Sequence, residues 1–169
     1  NAQKLCSKLM EHGYDICTNG TDNHQFLLNL KKHNITGSKI EKICEFVNIS
    51  VNKNSVHGDK SALAPGGIRI GTCSVTTRGM TEEHMDVIAQ YLHETIQLGI
   101  FIQNDKNVKL ISEFVDLLPK EDMLIQLKNK VISFASSFDL YWNHHSWFKK
   151  NIYCNIIYED SRTIQELFW

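Results

Sequence analysis

The sequence predicts an α+β fold: a small, mostly antiparallel sheet packed with helices. Three observations carry this reading. Short apolar runs of strand length are interleaved with longer stretches whose apolar residues recur every three and four positions. The alternation is not regular enough for a parallel βαβ sheet. No internal repeat, low-complexity tract or linker interrupts the chain before residue 140.

The elements follow in order. Residues 2–12 place Ala2, Leu5 and Leu9 at helical spacing, and Gly13 is a natural stop. The turn-rich run Asn19-Gly20-Thr21-Asp22-Asn23 precedes a strand over residues 25–30. Ser38 followed by Glu41 reads as a capping box, opening a helix whose buried side is Ile40, Ile43, Cys44 and Val47. Residues 49–52 form a second strand, and a long polar loop over residues 53–66 ends in Pro65-Gly66-Gly67. Residues 67–72 give the third strand. Thr81, with Glu82 and Glu83 behind it, caps a long helix striped by Met85, Ile88, Leu92 and Ile96 as far as about Ile102. After a polar break at residues 104–107 come a short helix over 110–118 and a last one over 120–138, carrying Leu124, Leu127, Val131, Phe134 and Phe138. These stripes read as core-packing faces.

The bulk properties narrow the function. At 169 residues, with 42% apolar and 22% charged, the chain can bury a real core and is not disordered. A formal charge of -1 argues against a nucleic-acid footprint or a polybasic membrane anchor. No apolar run approaches the roughly 20 residues of a membrane span. The cysteines, Cys6, Cys17, Cys44, Cys73 and Cys154, are odd in number and form no C-x-x-C, which fits reduced thiols in an intracellular compartment and no metal centre. The chain opens on Asn1 and reads as helix almost at once, so a true N-terminus upstream is expected and the compartment, cytoplasmic or mitochondrial, stays open.

The most informative run is Ala64-Pro65-Gly66-Gly67-Ile68-Arg69-Ile70-Gly71-Thr72. Isoleucines on both sides of Arg69 favour a strand and point to the face opposite the guanidinium. The planar fork is then free for a carboxylate or a phosphate. The plainer alternative is a surface arginine paired with a neighbouring acid.

This run lies among others: Asn52-Lys53-Asn54-Ser55 and Gly58-Asp59-Lys60-Ser61 before it, Thr77-Arg78-Gly79 after it, Gly20-Thr21-Asp22-Asn23-His24 upstream. Together, in order and spacing, they resemble the C-terminal domain of serine hydroxymethyltransferase, over residues 1–140. The resemblance implies the small α/β domain of fold-type-I pyridoxal-phosphate enzymes, set beside a larger cofactor-binding domain. It implies that Arg69 holds the substrate's α-carboxylate and that Asn54 contacts the pteridine of tetrahydrofolate, with Asn52 and Lys53 shaping the loop. It further implies serine and glycine as substrates, tetrahydrofolate as co-substrate, pyridoxal phosphate as cofactor, and a homo-oligomer, dimer or tetramer, for the full-length protein.

Other constellations read as structural. Asp22, Asn23 and His24 are contiguous and form a turn into the strand, and His57-Gly58-Asp59-Lys60-Ser61 is too crowded for a triad. His57 and Cys73 stand where the family usually has proline, loosening the expectation for folate but leaving Arg69 untouched. The family's Schiff-base lysine follows a threonine run and a histidine, and no Thr-Thr-Thr-His-Lys run occurs in this sequence. No catalytic residue is therefore expected in the chain, which reads as a portion of the enzyme supplying the carboxylate clamp and part of the folate pocket. The alternative is an inactive, truncated product acting as a binding or dimerisation module. Residues 141–169, rich in aromatics from Trp142 to Trp169, match no family motif and read as a poorly ordered tail in which His144-His145 carries no weight.

Overall fold

Alternation decides the sheet. In Gln25–Asn29 the side chains run half-buried, buried, half-buried, buried, half-buried, the signature of a strand with one face on a core. The structure is a computed structural model that describes residues 1–61 and 64–138. The aromatic-rich stretch 141–169 and His144-His145 lie outside the described residues.

Among those residues the order is α1 (Ala2–Glu11), β1 (Asp15–Ile16), β2 (Gln25–Asn29), α2 (Gly37–Phe46), β3 (Asn52–Asn54), β4 (Gly67–Gly71), α3 (Cys73–Thr77), α4 (Glu82–Asp105), α5 (Ile111–Leu117) and α6 (Asp122–Ser136), with single 3-10 turns at Lys31–His33 and Leu118–Lys120. The strands form one four-stranded sheet in the order β1-β2-β4-β3, with every pairing antiparallel. The α+β expectation is met.

Ile16, Phe26, Leu28, Ile68 and Ile70 leave one face of the sheet and are buried in the core with Leu5, Leu9, Ile40, Ile43, Met85, Ile88, Leu92 and Ile96 from the helices. The long α4 is the spine of the helical layer and packs on α1, α2, α5 and α6. It is fixed at its start by Thr81, whose backbone N–H donates to His84 Nδ1 at 2.9 Å, with Glu82 and Glu83 in the first turn. Its far end is held by Lys39, a buried residue of α2 whose ammonium donates to Gln103 Oε1 at 2.9 Å and to the Val108 carbonyl at 2.8 Å. Burial holds the Lys39 amine below its ordinary value, with Glu113 acting in the opposite sense.

Two local expectations are corrected, and two elements are new. The cap of α2 is Thr36, whose hydroxyl accepts from Lys39 N–H at 3.3 Å, and Ser38 lies inside the helix. Ile49 and Val51 are buried without strand pairing, and the ladder begins only at Asn52. The short strand β1 and the five-residue helix α3 were not foreseen. At the start of α2, Gly37 N–H donates to the Pro65 carbonyl at 2.7 Å, so close that a Cβ on Gly37 would overlap the Gly67 carbonyl oxygen. That approach fixes α2 against the first residue of β4.

Candidate substrate-binding site

In antiparallel pairs, residues directly opposite each other share a face. Arg69 lies opposite Leu27 on β2 and opposite Asn52 on β3, and Asn54 lies opposite Gly67. The face away from the helices therefore carries Gln25, Leu27, Asn29, Asn52, Asn54 and Arg69. All are half-buried, and no described helix covers them. Gly67 and Gly71 stand two residues either side of Arg69 on this face, so no side chain from its own strand crowds the guanidinium.

Arg69 makes no ion pair and no side-chain hydrogen bond among the described residues. It lines a groove of about 590 Å³ together with Asn54, Gln25, Leu27 and the loop of residues 18–23. Asn54 donates its amide N–H to the neighbouring Ser55 carbonyl at 2.9 Å, the local bond of a turn residue, and its Oδ1 has no hydrogen-bond partner among the described residues. Arg69 and Asn54, singled out from the sequence, are thus brought together. Lys53 is on the other face, where its backbone N–H donates to Glu41 Oε1 at 2.9 Å and its ammonium lies 3.6 Å from Glu41 Oε2.

The loop wall is preorganised by its own polar groups. Thr18 Oγ1 donates to the Gly20 carbonyl at 2.6 Å, and Thr21 Oγ1 donates to the Gln25 carbonyl at 2.6 Å. Gln25 N–H donates to Asn23 Oδ1 at 2.9 Å. Asp22 and Asn23 belong to a turn, as expected, and that turn is also a wall of the groove, which local sequence does not reveal. The signal was the register: once β2 is laid against β4, the run before Gln25 must end beside Arg69.

The crowded run from His57 to Ser61 forms no triad. Asp59 accepts from Val56 N–H at 2.9 Å and from Gly66 N–H at 2.8 Å, and lies 3.0 Å from the Lys31 ammonium. These donors, led by the Gly66 and Val56 amides, hold its carboxyl down at about 2. Asp59 closes the loop that delivers Gly67 and Arg69 into β4. His57 and Cys73, the two departures from proline, are exposed, and neither lines the Arg69 groove. Among the described residues no cluster of His, Cys, Asp and Glu is arranged to hold a metal, and no helix is long and apolar enough to cross a membrane.

Comparison with known proteins identifies the family. The profile of the serine hydroxymethyltransferase family matches residues 1–92. Serine hydroxymethyltransferase 4 of Arabidopsis thaliana is 42% identical over 140 residues, covering 83% of this chain and 30% of that protein. The Plasmodium falciparum serine hydroxymethyltransferase is 39% identical over 137 residues, 81% of this chain and 31% of its own length. The cytosolic serine hydroxymethyltransferase of Saccharomyces cerevisiae is 38% identical over 143 residues, 83% and 30% respectively. The chain thus spans about 30% of the length of these curated relatives. Motif order, an α+β fold with the Gly-Gly-Ile-Arg strand at its centre, and these matches agree: the chain belongs to the serine hydroxymethyltransferase family.

Proposed function

We propose that this chain is the part of a serine hydroxymethyltransferase that grips the amino-acid carboxylate and one side of the folate. The reaction would interconvert serine and tetrahydrofolate with glycine and methylene-tetrahydrofolate. The observation that carries the reading is Arg69, a cation without a protein partner among the described residues, on one of the two inner strands and lining a groove that it shares with Asn54. A planar guanidinium holds a carboxylate by two parallel bonds and so fixes its orientation as well as its place. That orientation matters because the bond to be cleaved must stand across the cofactor ring. The free Oδ1 and remaining N–H of Asn54 suit the alternating donors and acceptors of a pteridine edge.

Pyridoxal phosphate would supply the electron sink for this chemistry. The groove fits the acid end of a substrate rather than the cofactor, and the Thr-Thr-Thr-His-Lys run that would hold pyridoxal phosphate is not in the 169 residues. By itself the chain would bind without turnover, and a homo-oligomer of the longer protein would complete the site.

The test is Arg69→Ala and Arg69→Lys in the full-length protein. A charge-assisted clamp contributes about 1.5–3 kcal/mol, so the alanine variant should lose about ten- to a hundredfold in kcat/KM for serine, with poor rescue by lysine. Near-normal serine affinity in Arg69→Ala would overturn the assignment.

A further inference from the structure

Away from the groove, two imidazoles contact one phenol and a third stacks on one of the two. The His12 ring, at the end of α1, stacks on His93 of α4 with centroids 4.3 Å apart and planes within 13°. Tyr14, which leads into β1, places its hydroxyl 3.0 Å from His93 Nδ1 and its ring 5.1 Å from that of His33. Gln97 Nε2 donates to the same hydroxyl at 3.3 Å.

Gln97 Nε2 donates to the tyrosine oxygen, which keeps one O–H, and a neutral His93 with its proton on Nε2 accepts that O–H at Nδ1. The phenol keeps that proton, because burial pushes Tyr14 up to about 12. We take His93 as the neutral tautomer that accepts at Nδ1, the one that uses this O–H. A second proton on its ring would replace the acceptor that Tyr14 needs with another donor. It would also bring a cation against the stacked His12 and near His33, whose Nε2 is shut away from solvent with no hydrogen-bond partner. The charges around the site do little to offset this. Glu94, on the same helix, lies 4.0 Å from Lys130 of α6, and Glu11 and Lys8 at the end of α1 pair with each other at 2.8 Å. Cys44 of α2 is fully buried.

We propose that the His12–Tyr14–His93 stack is a proton-sensitive latch, closed when His93 is neutral, which pins the start of β1 to α4 and opens when His93 takes up a proton. The consequence reaches the groove by chain connectivity alone. Tyr14 is followed by Asp15–Ile16, and the loop of residues 18–23 comes next. Opening would loosen the junction of α1 with β1, where Tyr14 N–H donates to Leu9 O at 3.1 Å, and the edge of the sheet, where Cys17 N–H donates to Leu27 O at 3.0 Å, while leaving β2 on β4. The latch itself does not depend on what the groove binds. In the latched state His93 is held below its ordinary 6.5, first by burial and then by His12. Acid therefore favours the open state, by about tenfold for every tenfold difference in proton affinity between the two states.

The test uses the whole chain, with imidazole NMR titration and amide-exchange protection factors between pH 8 and pH 5. Protection at Tyr14 and Cys17 should fall about tenfold as His93 titrates, while Ile68 and Ile70 stay protected. His93→Gln should abolish the pH dependence at Tyr14 and Cys17. His12→Ala, an exposed position that keeps the fold should the first variant fail, should move the opening to higher pH. Unchanged protection at Tyr14 and Cys17 down to pH 5, or an opening pH unmoved in His12→Ala, overturns the proposal.

Discussion

Asn54 and Arg69 leave neighbouring strands on the same face, because Asn52, two residues before Asn54, is the direct cross-strand partner of Arg69. The two side chains line one groove without bonding to each other. Their contributions should therefore be separable. Asn54→Ala is expected to change stability by less than about 1 kcal/mol, since only an exposed bond to Ser55 is lost. In the full-length protein it should weaken folate binding about tenfold while leaving serine affinity in place. Titration with each ligand separately checks this, and equal loss for both would show that the two residues act as one unit.

A glycine contrast tests how β4 is held. Gly37→Ala would drive a methyl into the Gly67 carbonyl, and a backbone atom cannot step aside as a side chain can. A loss of about 1–3 kcal/mol in urea unfolding is expected. Gly71→Ala meets only His24 O at 3.6 Å and Gln25 Cβ at 3.8 Å, both ordinary contacts. It should be neutral or stabilising by about 0.5 kcal/mol.

Lys39 and Lys42 share a helix and differ in fate. Lys39 is 5% exposed and holds the Val108 carbonyl and Gln103, whereas Lys42 makes a surface pair with Glu45 at 2.7 Å. Lys39→Met should cost about 1–3 kcal/mol, because it leaves a buried carbonyl unpaired. Lys42→Ala should cost less than about 0.5 kcal/mol. The Lys39 amine is held below its ordinary 10.5, so the unfolded chain binds the extra proton in that interval. Stability attributable to this group should rise as pH increases toward 10.5, and Lys39→Met should remove that slope.

Asp59 has the opposite sign. Its carboxyl, held at about 2 against an ordinary 3.8, stabilises the fold in full above the ordinary value. That contribution is lost as pH falls from about 4 toward 2, when the native carboxylate is finally protonated. Acid unfolding of Asp59→Asn should show a flatter profile across this interval. A profile identical to the parent's would place the acid-labile contact elsewhere.

What the sequence made legible follows the range of each interaction. Helices α4 and α6 were readable because Met85, Ile88, Leu92 and Ile96, and then Leu124, Leu127 and Val131, repeat at a period that needs no partner to recognise. The strand β1 is two residues long and exists only because Asp15 and Ile16 lie opposite Asn29 and Leu28, a long-range fact. Ile49 and Val51 looked like strand residues because they are apolar and buried, yet they pack without a ladder. Thr36 caps α2 in place of Ser38, because the docking of Gly37 on Pro65 sets where the helix can begin. Arg69 and Asn54 stood out through motif order. The loop wall did not, since residues 18–23 meet Arg69 only through the register of β2 on β4.

The one-sided sheet has an evolutionary consequence. Phe26, Leu28, Ile68 and Ile70 hold the scaffold up from the helical side, while Gln25, Asn29, Asn52 and Asn54 look the other way. Substitutions on the outward row can alter what is recognised without disturbing what keeps the chain folded. Ligand preference and robustness are thereby independent traits in this unit, free to diverge among relatives at different rates.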